Sequence, residues 1–193
     1  MFEILLSYFQ NKISLSESDI AIIKSASVLR KLEKGEILLH EGEVARHGNF
    51  VARGCLRSYA IDDKGKQHII QFAPENWWLT NAESIMSGSP SAYFIDALEE
   101  SFIFTIEFKS FEAILKNIPA LAFMFQQGIQ KHASAKDKRI IASLSSTAEE
   151  RYQDFLTTYP AIAQRVPQHM LASYLGISPE TLSRIRKQMT RKK

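Results

Sequence analysis

Cysteine is almost missing from this chain: Cys55 is the single one in 193 residues. One thiol excludes an internal disulfide framework, a cysteine zinc site and a four-cysteine iron–sulfur cluster within one chain. Long apolar runs are missing too. No stretch approaches the ~18 uninterrupted apolar residues of a membrane-crossing helix, and no basic segment precedes the N-terminal apolar residues as it would in a secretory leader. The opening Met1-Phe-Glu-Ile-Leu-Leu6 reads instead as a packing helix, so a cytoplasmic location without a membrane partner is expected. Cations are absent from a long central window. Between Lys66 and Lys109 there is no lysine or arginine, while six acids occur: Glu75, Glu83, Asp96, Glu99, Glu100 and Glu107. No glycine-rich phosphate loop, nucleophile elbow or Cys–His signature appears, so neither catalysis nor a cofactor is expected.

Apolar residues make up 45% of the chain, enough to fill one large core or two small ones. Charge is unevenly spread. Residues 160–193 hold Arg165, Arg184, Arg186, Lys187, Arg191, Lys192 and Lys193 against one acid, Glu180, a net of +6 within an overall +3. A basic tail on a mildly acidic body attracts phosphate; taken alone it could also be a solubilising terminus.

Three sections follow along the chain. Ser16-Glu-Ser-Asp19 reads as a helix start. From about residue 30, Gly35, Gly42, Gly48, Gly54 and Gly65 punctuate short apolar runs: 37–39, 50–51, 56–61 and 69–70. Asp62-Asp-Lys-Gly65 is hairpin chemistry, and Ser101-Phe-Ile-Phe-Thr-Ile106 closes the set as a last strand. Such strands suggest a small barrel or roll. The third section is helical. Ser110 is expected to cap a short helix over 110–116, and Pro119 opens a helix of roughly 25 residues that needs a partner to bury its apolar side. Leu121, Phe125, Gly128, His132 and Ala135 fall near a 3–4 spacing and are taken as the seam with a second copy; ordinary packing against the roll is the alternative. Thr147-Ala-Glu-Glu150 is a capping box opening the next helix. The expected domains are a roll over 1–115, a connecting helix over 116–144 and a terminal helical domain over 145–193.

That last domain holds Val166-Pro-Gln-His-Met-Leu-Ala-Ser-Tyr-Leu-Gly-Ile-Ser-Pro-Glu-Thr-Leu-Ser-Arg-Ile-Arg-Lys187. Two short helices joined at Gly176 are expected, with Met170, Leu171, Leu175, Ile177, Leu182 and Ile185 buried and Ala172 at the crossing. Ser178 suits an N-cap, Pro179 the first helical position, and Glu180 the positive helix end. This is a helix-turn-helix, whose second helix lies in the DNA major groove. Glu180, Arg184 and Lys187 share one face, opposite Leu182 and Ile185. A carboxylate can accept from cytosine, and an arginine can hold guanine with two bonds. Glu180 and Arg184, with Ser178 and Thr181, are the expected base readers. Gln168, His169, Arg186, Lys187, Arg191, Lys192 and Lys193 are the expected phosphate contacts. The alternative is a solvated face with one Glu–Arg pair.

Roll, long helix and helix-turn-helix together resemble the Crp/Fnr family of bacterial regulators over nearly the whole chain. The resemblance is strongest in Leu171-Ala-Ser-Tyr-Leu-Gly-Ile-Ser-Pro-Glu-Thr-Leu-Ser-Arg184 and in the Lys34-Gly-Glu36 to Gly42-Glu43 pattern. It implies an α+β fold: an N-terminal jelly-roll-like, cyclic-nucleotide-binding-domain-like sensor, a dimerisation helix and a helix-turn-helix with little or no wing, since only six residues follow Lys187. It also implies a homodimeric transcription factor on an inverted-repeat operator in double-stranded DNA, with RNA polymerase a candidate partner. The family's base-reading glutamate and arginine match Glu180 and Arg184. Pro179 replaces a basic residue frequent just before that glutamate.

A second departure concerns the sensor. Cyclic-nucleotide members hold phosphate with a Gly-Glu pair and an Arg-Ser/Thr-Ala sequence. Aligned on Ser91-Ala92, the arginine position is Pro90 and the Gly-Glu positions are Leu79-Thr80. Burying a phosphate among acids without a counter-charge costs several kcal/mol, so cyclic AMP and cyclic GMP are not expected to bind; a cyclic-nucleotide response through a divergent pocket is the runner-up. Haem could formally use His40, His47, His68, His132 or Met86, but no spacing selects one. Phe72, Trp77, Trp78, Thr80, Ser91, Tyr93 and Phe94 form the candidate effector pocket, suited to an apolar or neutral ligand, unless they simply fill the core. A cupin-like metal enzyme is the alternative from another class. It would draw on His40, Glu41, Glu43 and His47, which lack a His-x-His pair.

Overall fold

A computed structural model describes residues 1–191. Two helices lead: α1 (Phe2–Gln10) and α2 (Glu17–Ala26). The strands follow as β1 (Ser27–Leu32), β2 (Ile37–Leu39), β3 (His47–Arg53), β4 (Leu56–Ile61), β5 (Gln67–Ala73) and β6 (Trp78–Leu79). A short α3 (Ala82–Ser87) precedes β7 (Phe94–Ala97) and β8 (Ser101–Glu107). The rest is helical: α4 (Phe108–Asn117), α5 (Pro119–Ser145), α6 (Ala148–Thr158), α7 (Ile162–Arg165), α8 (Gln168–Leu175) and α9 (Pro179–Arg191). The fold is α+β, with two antiparallel sheets ordered β1-β8-β3-β6 and β2-β7-β4-β5.

Local chemistry sets the helix starts. At α2 the Ser16 hydroxyl accepts from the Asp19 N–H, and the Asp19 carboxylate accepts from the Ser16 N–H. The Ser16 hydroxyl donates to that carboxylate, and this bond, then the one from the Ser16 N–H, holds the Asp19 carboxyl below its usual range. The same reciprocal pair joins Thr147 and Glu150 at α6. Ser110 corrects an expectation. It lies inside α4, which starts at Phe108 without a side-chain cap. The Phe108 N–H donates to the Arg46 carbonyl, so the end of β8, not a serine, fixes where the helix begins.

The chain divides into two compact units. One comprises Met1–Ser58 and Phe72–Gln130; the other comprises Tyr59–Gln71 and the chain from Lys131 onward. In the first, strand alternation sorts two cores. Phe50 pairs with Phe104 on one side and Trp78 on the other, and all three pack with Leu5, Phe9, Ile23, Ile114 and Leu121 from the helices. One residue along each strand, the side chains turn the other way. Val51, Ile103 and Leu79 meet Leu32, Leu56, Ile95 and Ala97 inside the roll. Gly54 lets β3 turn into β4: its φ is +98°, and a Cβ there would come within 2.3 Å of the Ser101 Oγ.

One ion pair is buried in the roll. Arg57 of β4 grips Asp96 of β7 with Nε at 2.7 Å and Nη2 at 2.8 Å. β4 and β7 are neighbours in the second sheet, so a cation from outside the 66–109 window answers one of its acids. Both groups are buried. Removing one partner of a buried pair strands the other charge, at about 3–5 kcal/mol. Asp96→Ala is expected to lower stability by that amount in urea denaturation. The Arg57→Met, Asp96→Leu double variant should recover most of the loss; equal losses in both variants would argue against the pair as the cause.

Candidate nucleic-acid interface

In the second unit, α6, α8 and α9 pack against one another. Tyr152, Phe155, Leu171, Ala172, Leu175, Leu182 and Ile185 are buried there, while Met170 and Ile177 are only half-buried. The turn between α8 and α9 rests on Gly176, at φ +68°. Its N–H bonds back into the last turn of α8, and the Ile177 N–H reaches the Ala172 carbonyl at 3.0 Å, the bonding of a helix closed by a left-handed residue. Arg151 adds a clamp that sequence reading missed. Its guanidinium donates to the Leu175 carbonyl at 3.1 Å and the Ser146 carbonyl at 2.6 Å, satisfying a carbonyl that α8 leaves unbonded.

The start of α9 is capped. The Thr181 N–H donates to the Ser178 hydroxyl at 3.2 Å, and that hydroxyl donates to the Thr181 Oγ1, also at 3.2 Å. Both residues expected to read bases alongside Glu180 and Arg184 are thus engaged in the helix start. Glu180 is fully exposed, and its carboxyl sits below the usual range, first through its own backbone N–H and then through Ser178. It stays ionised near neutral pH, an acceptor only.

Pro179, Glu180, Ser183, Arg184, Lys187 and Gln188 line one open depression on the outer face of α9. Ser183 and Gln188 were not anticipated, although they stand three and eight residues beyond Glu180 on the same helical face. Arg186 is half-buried beside this face, and Gln168 and His169 are exposed at the start of α8. Lys192, Lys193 and the side chain of Arg191 lie outside the described residues.

The other expected sites fare differently. The candidate effector residues converge only in part: the Tyr93 hydroxyl donates to the Thr80 carbonyl and Ser91 bonds to Tyr93, while others go elsewhere. Trp78 faces the helical core beside Phe50 and Phe125, whereas Trp77 and Tyr93 pack at the roll interior. Phe72 is buried, the Thr80 hydroxyl donates to the His47 carbonyl, and Phe94 meets the His40 ring. The two tryptophans part at the start of β6: Trp77 lies just before the strand and Trp78 opens it. Burial pushes the Tyr93 phenol up to about 12, with Glu83 adding to it. Around α3 the polar groups answer one another. Asn81 Nδ2 donates to Ser91 Oγ at 2.9 Å, Ser91 Oγ to the Tyr93 carbonyl at 2.7 Å, and Ser84 Oγ to the Ser89 carbonyl at 2.6 Å.

The expected seam on α5 is corrected in two residues. Leu121 is fully buried in the first unit's core, and the Phe125 ring packs on Phe111, Trp78 and Phe9. Both lie on the inward face of the helix, so neither is free for a second copy. Gly128 and Ala135 are exposed. Burial, then Lys136 and Arg139, holds the His132 imidazole below its usual range. The exposed apolar side chains are others: Phe123, Ile129, Ile140, Ile141 and Leu144. Of the candidate metal set, Glu43 is used in its own turn, accepting from the His40 N–H at 3.0 Å. Among the described residues no three His, Cys, Asp or Glu side chains cluster as a metal ion requires.

Residues 29–118 match the cyclic nucleotide-binding domain family. The chain is 25% identical over 192 residues to the probable transcriptional regulator flp of Lacticaseibacillus casei, covering 93% of this chain and 84% of that protein. It is 24% identical over 170 residues to the transcriptional activator protein anr of Pseudomonas aeruginosa, covering 81% and 68%. Among solved structures, FixK2 from Bradyrhizobium japonicum superposes with a TM-score of 0.73 at 20% identity, covering 86% of this chain and 85% of that one.

The α9 cap generates a test. Loss of an N-cap hydroxyl costs about 1 kcal/mol, so Ser178→Ala should speed hydrogen exchange at the Thr181 amide roughly five-fold, and Ser178→Asp should restore protection. Unchanged exchange in the alanine variant would mean the hydroxyl does not hold the helix start.

Proposed function

We propose that the chain is a regulator of the Crp/Fnr type, homodimeric and sequence-specific for DNA, whose α9 reads an inverted-repeat operator. One observation carries this reading. Glu180, Arg184 and Lys187 share an open face of α9, while Leu182 and Ile185 on the opposite side are buried. An ionised carboxylate one turn before a guanidinium suits a cytosine N4 donor beside a guanine O6/N7 edge. Lys187 and Arg186 reach phosphate, and Gln168 and His169 add contacts from the exposed start of α8. Ser178 and Thr181 serve the helix start, which also aims the N-terminal turn of α9 at the groove.

Dimerisation is supported by the outward side of α5. Phe123, Ile129, Ile140, Ile141 and Leu144 are exposed there, Leu144 at 84%. A 27-residue helix with apolar side chains left in water calls for a partner. A second copy fits best, because a helix-turn-helix reads paired half-sites. The seam then runs through these residues rather than Leu121 and Phe125.

The sensor, in this reading, does not take cyclic AMP or cyclic GMP. Support comes from the cassette around α3, where Asn81, Ser84 and Ser91 bond to one another and to backbone. No lysine or arginine lies between Lys66 and Lys109 to meet a phosphate, and Arg57 is held by Asp96. Calorimetric titration is expected to give no saturable micromolar binding of either nucleotide; saturable binding would overturn this part.

Selection of bound sequences from random DNA with the purified chain tests the whole. A palindromic motif is expected. Arg184→Ala should then weaken binding by ~1–3 kcal/mol and relax one base pair per half-site. Equal loss on random DNA would demote Arg184 to a phosphate contact. Leu144→Asp should convert dimer to monomer in sedimentation; an unchanged dimer would place the seam elsewhere.

A further inference from the structure

Strand β5 ends its sheet, with β4 on one side only. Such an edge leaves a row of backbone donors and acceptors without strand partners. Part of that row is answered by helices of the same compact unit, which takes in residues 59–71 together with the helix-turn-helix. The Ile69 N–H donates to the Ser173 hydroxyl of α8 at 3.0 Å, and that hydroxyl donates to the Gln67 carbonyl at 3.2 Å. Residues two apart on a strand present their backbone groups the same way, so one serine oxygen does what a neighbouring strand would do. Arg139 of α5 donates to the carbonyl of the adjacent residue, Ile70. Its guanidinium also lies 4.6 Å from the centre of the Tyr174 ring, the residue after Ser173. Tyr174 in turn stacks on Phe155 of α6.

We infer that Ser173 and Arg139 form a fastening site that holds the first helix of the helix-turn-helix to the β5 edge, and that this fastening positions α9 for DNA. The inference rests on the DNA-binding reading above. Geometry favours positioning over occlusion: with Ser173 engaged, Gln168, His169, Glu180, Arg184 and Lys187 all remain exposed. A bond that is kept on binding lowers the ordering cost of binding. Its loss should therefore weaken DNA binding without touching any DNA contact.

The experiment uses the full chain and three variants: Ser173→Ala, Ser173→Thr and Arg139→Gln. Hydrogen exchange is read at the Ile69 amide, with the Val51 amide of the roll as internal control, and operator affinity is read on the DNA selected by the wild-type chain. Ser173→Ala should speed Ile69 exchange by roughly ten-fold and weaken operator binding by roughly three- to ten-fold, as loss of one to two hydrogen bonds implies. Ser173→Thr keeps the hydroxyl and should restore both. Arg139→Gln should weaken binding in the same range with Val51 unchanged. Unaltered Ile69 exchange in Ser173→Ala overturns the fastening. Faster exchange with unchanged or tighter operator binding overturns the positioning role, and tighter binding would mean the bond has to break. If the wild-type chain selects no DNA at all, the DNA-binding reading fails by itself, and Ile69 exchange still decides whether the fastening exists.

Discussion

Burial of Leu182 and Ile185 is the constraint on which the interface depends. Each is worth about 1.5–3 kcal/mol when removed from water, far more than any preference of the exposed residues of α9 for one orientation. That burial fixes the rotation of the helix about its own axis. Once Leu182 faces α8, helical geometry leaves Glu180, Arg184 and Lys187 no choice but to face outward together. Ala172 at 0% exposure lets the two helices approach, and Gly176 supplies the backbone reversal between them. The polar face is therefore aimed by apolar residues on the other side. Its rigidity comes from the Ser178 cap at one end and the Arg151 clamp beneath the turn.

Similar reasoning bears on the roll. Most polar groups that a fold buries are answered by a hydrogen-bond partner. Around α3 much of that answering is internal: Ser84 and Ser91 bond to neighbouring carbonyls, and Asn81 spans both. The buried cation Arg57 is neutralised by Asp96. A dianionic or monoanionic phosphate entering such a site would have to displace these bonds while finding few free donors. The aromatic residues of the region go to two separate cores rather than to one cavity wall.

Much of this was legible in the chain beforehand, for reasons that can be named. Periodicity and capping residues located α2, α5, α6, α8 and α9, because each carries a local signal in Ser16, Pro119, Thr147, Gly176 or Ser178. The runs at 37–39, 56–61 and 101–106 marked strands. Three things were not legible. Strand β1 has only Leu32 fully buried among residues mostly exposed, so it lacks an alternating pattern. The Arg57–Asp96 pair joins residues 39 apart in sequence, which no local window can see. The split of Trp77 from Trp78 falls at the start of β6, a strand of two residues, Trp78 and Leu79, too short to announce itself. The misplaced cap at Ser110 has a similar origin: the Phe108 bond to Arg46 is a tertiary contact, and it outranks a serine.

The helix α5 joins these lessons. It carries apolar residues on opposite faces: Leu121 and Phe125 inward, Phe123, Ile141 and Leu144 outward. Spacing alone could not tell which face a second copy would take, because both obey a 3–4 rhythm. The core of the first unit claims Leu121 and leaves Phe123, Ile141 and Leu144 exposed. Apolar side chains left in water on a long helix call for cover, and Phe123, Ile129, Ile140, Ile141 and Leu144 are exposed in a single copy of this chain. The outward stripe thus follows from the inward one. The more tightly the roll grips its own face of α5, the more the remaining face depends on a partner, and in the dimer reading each copy of that helix would be the natural cover for the other.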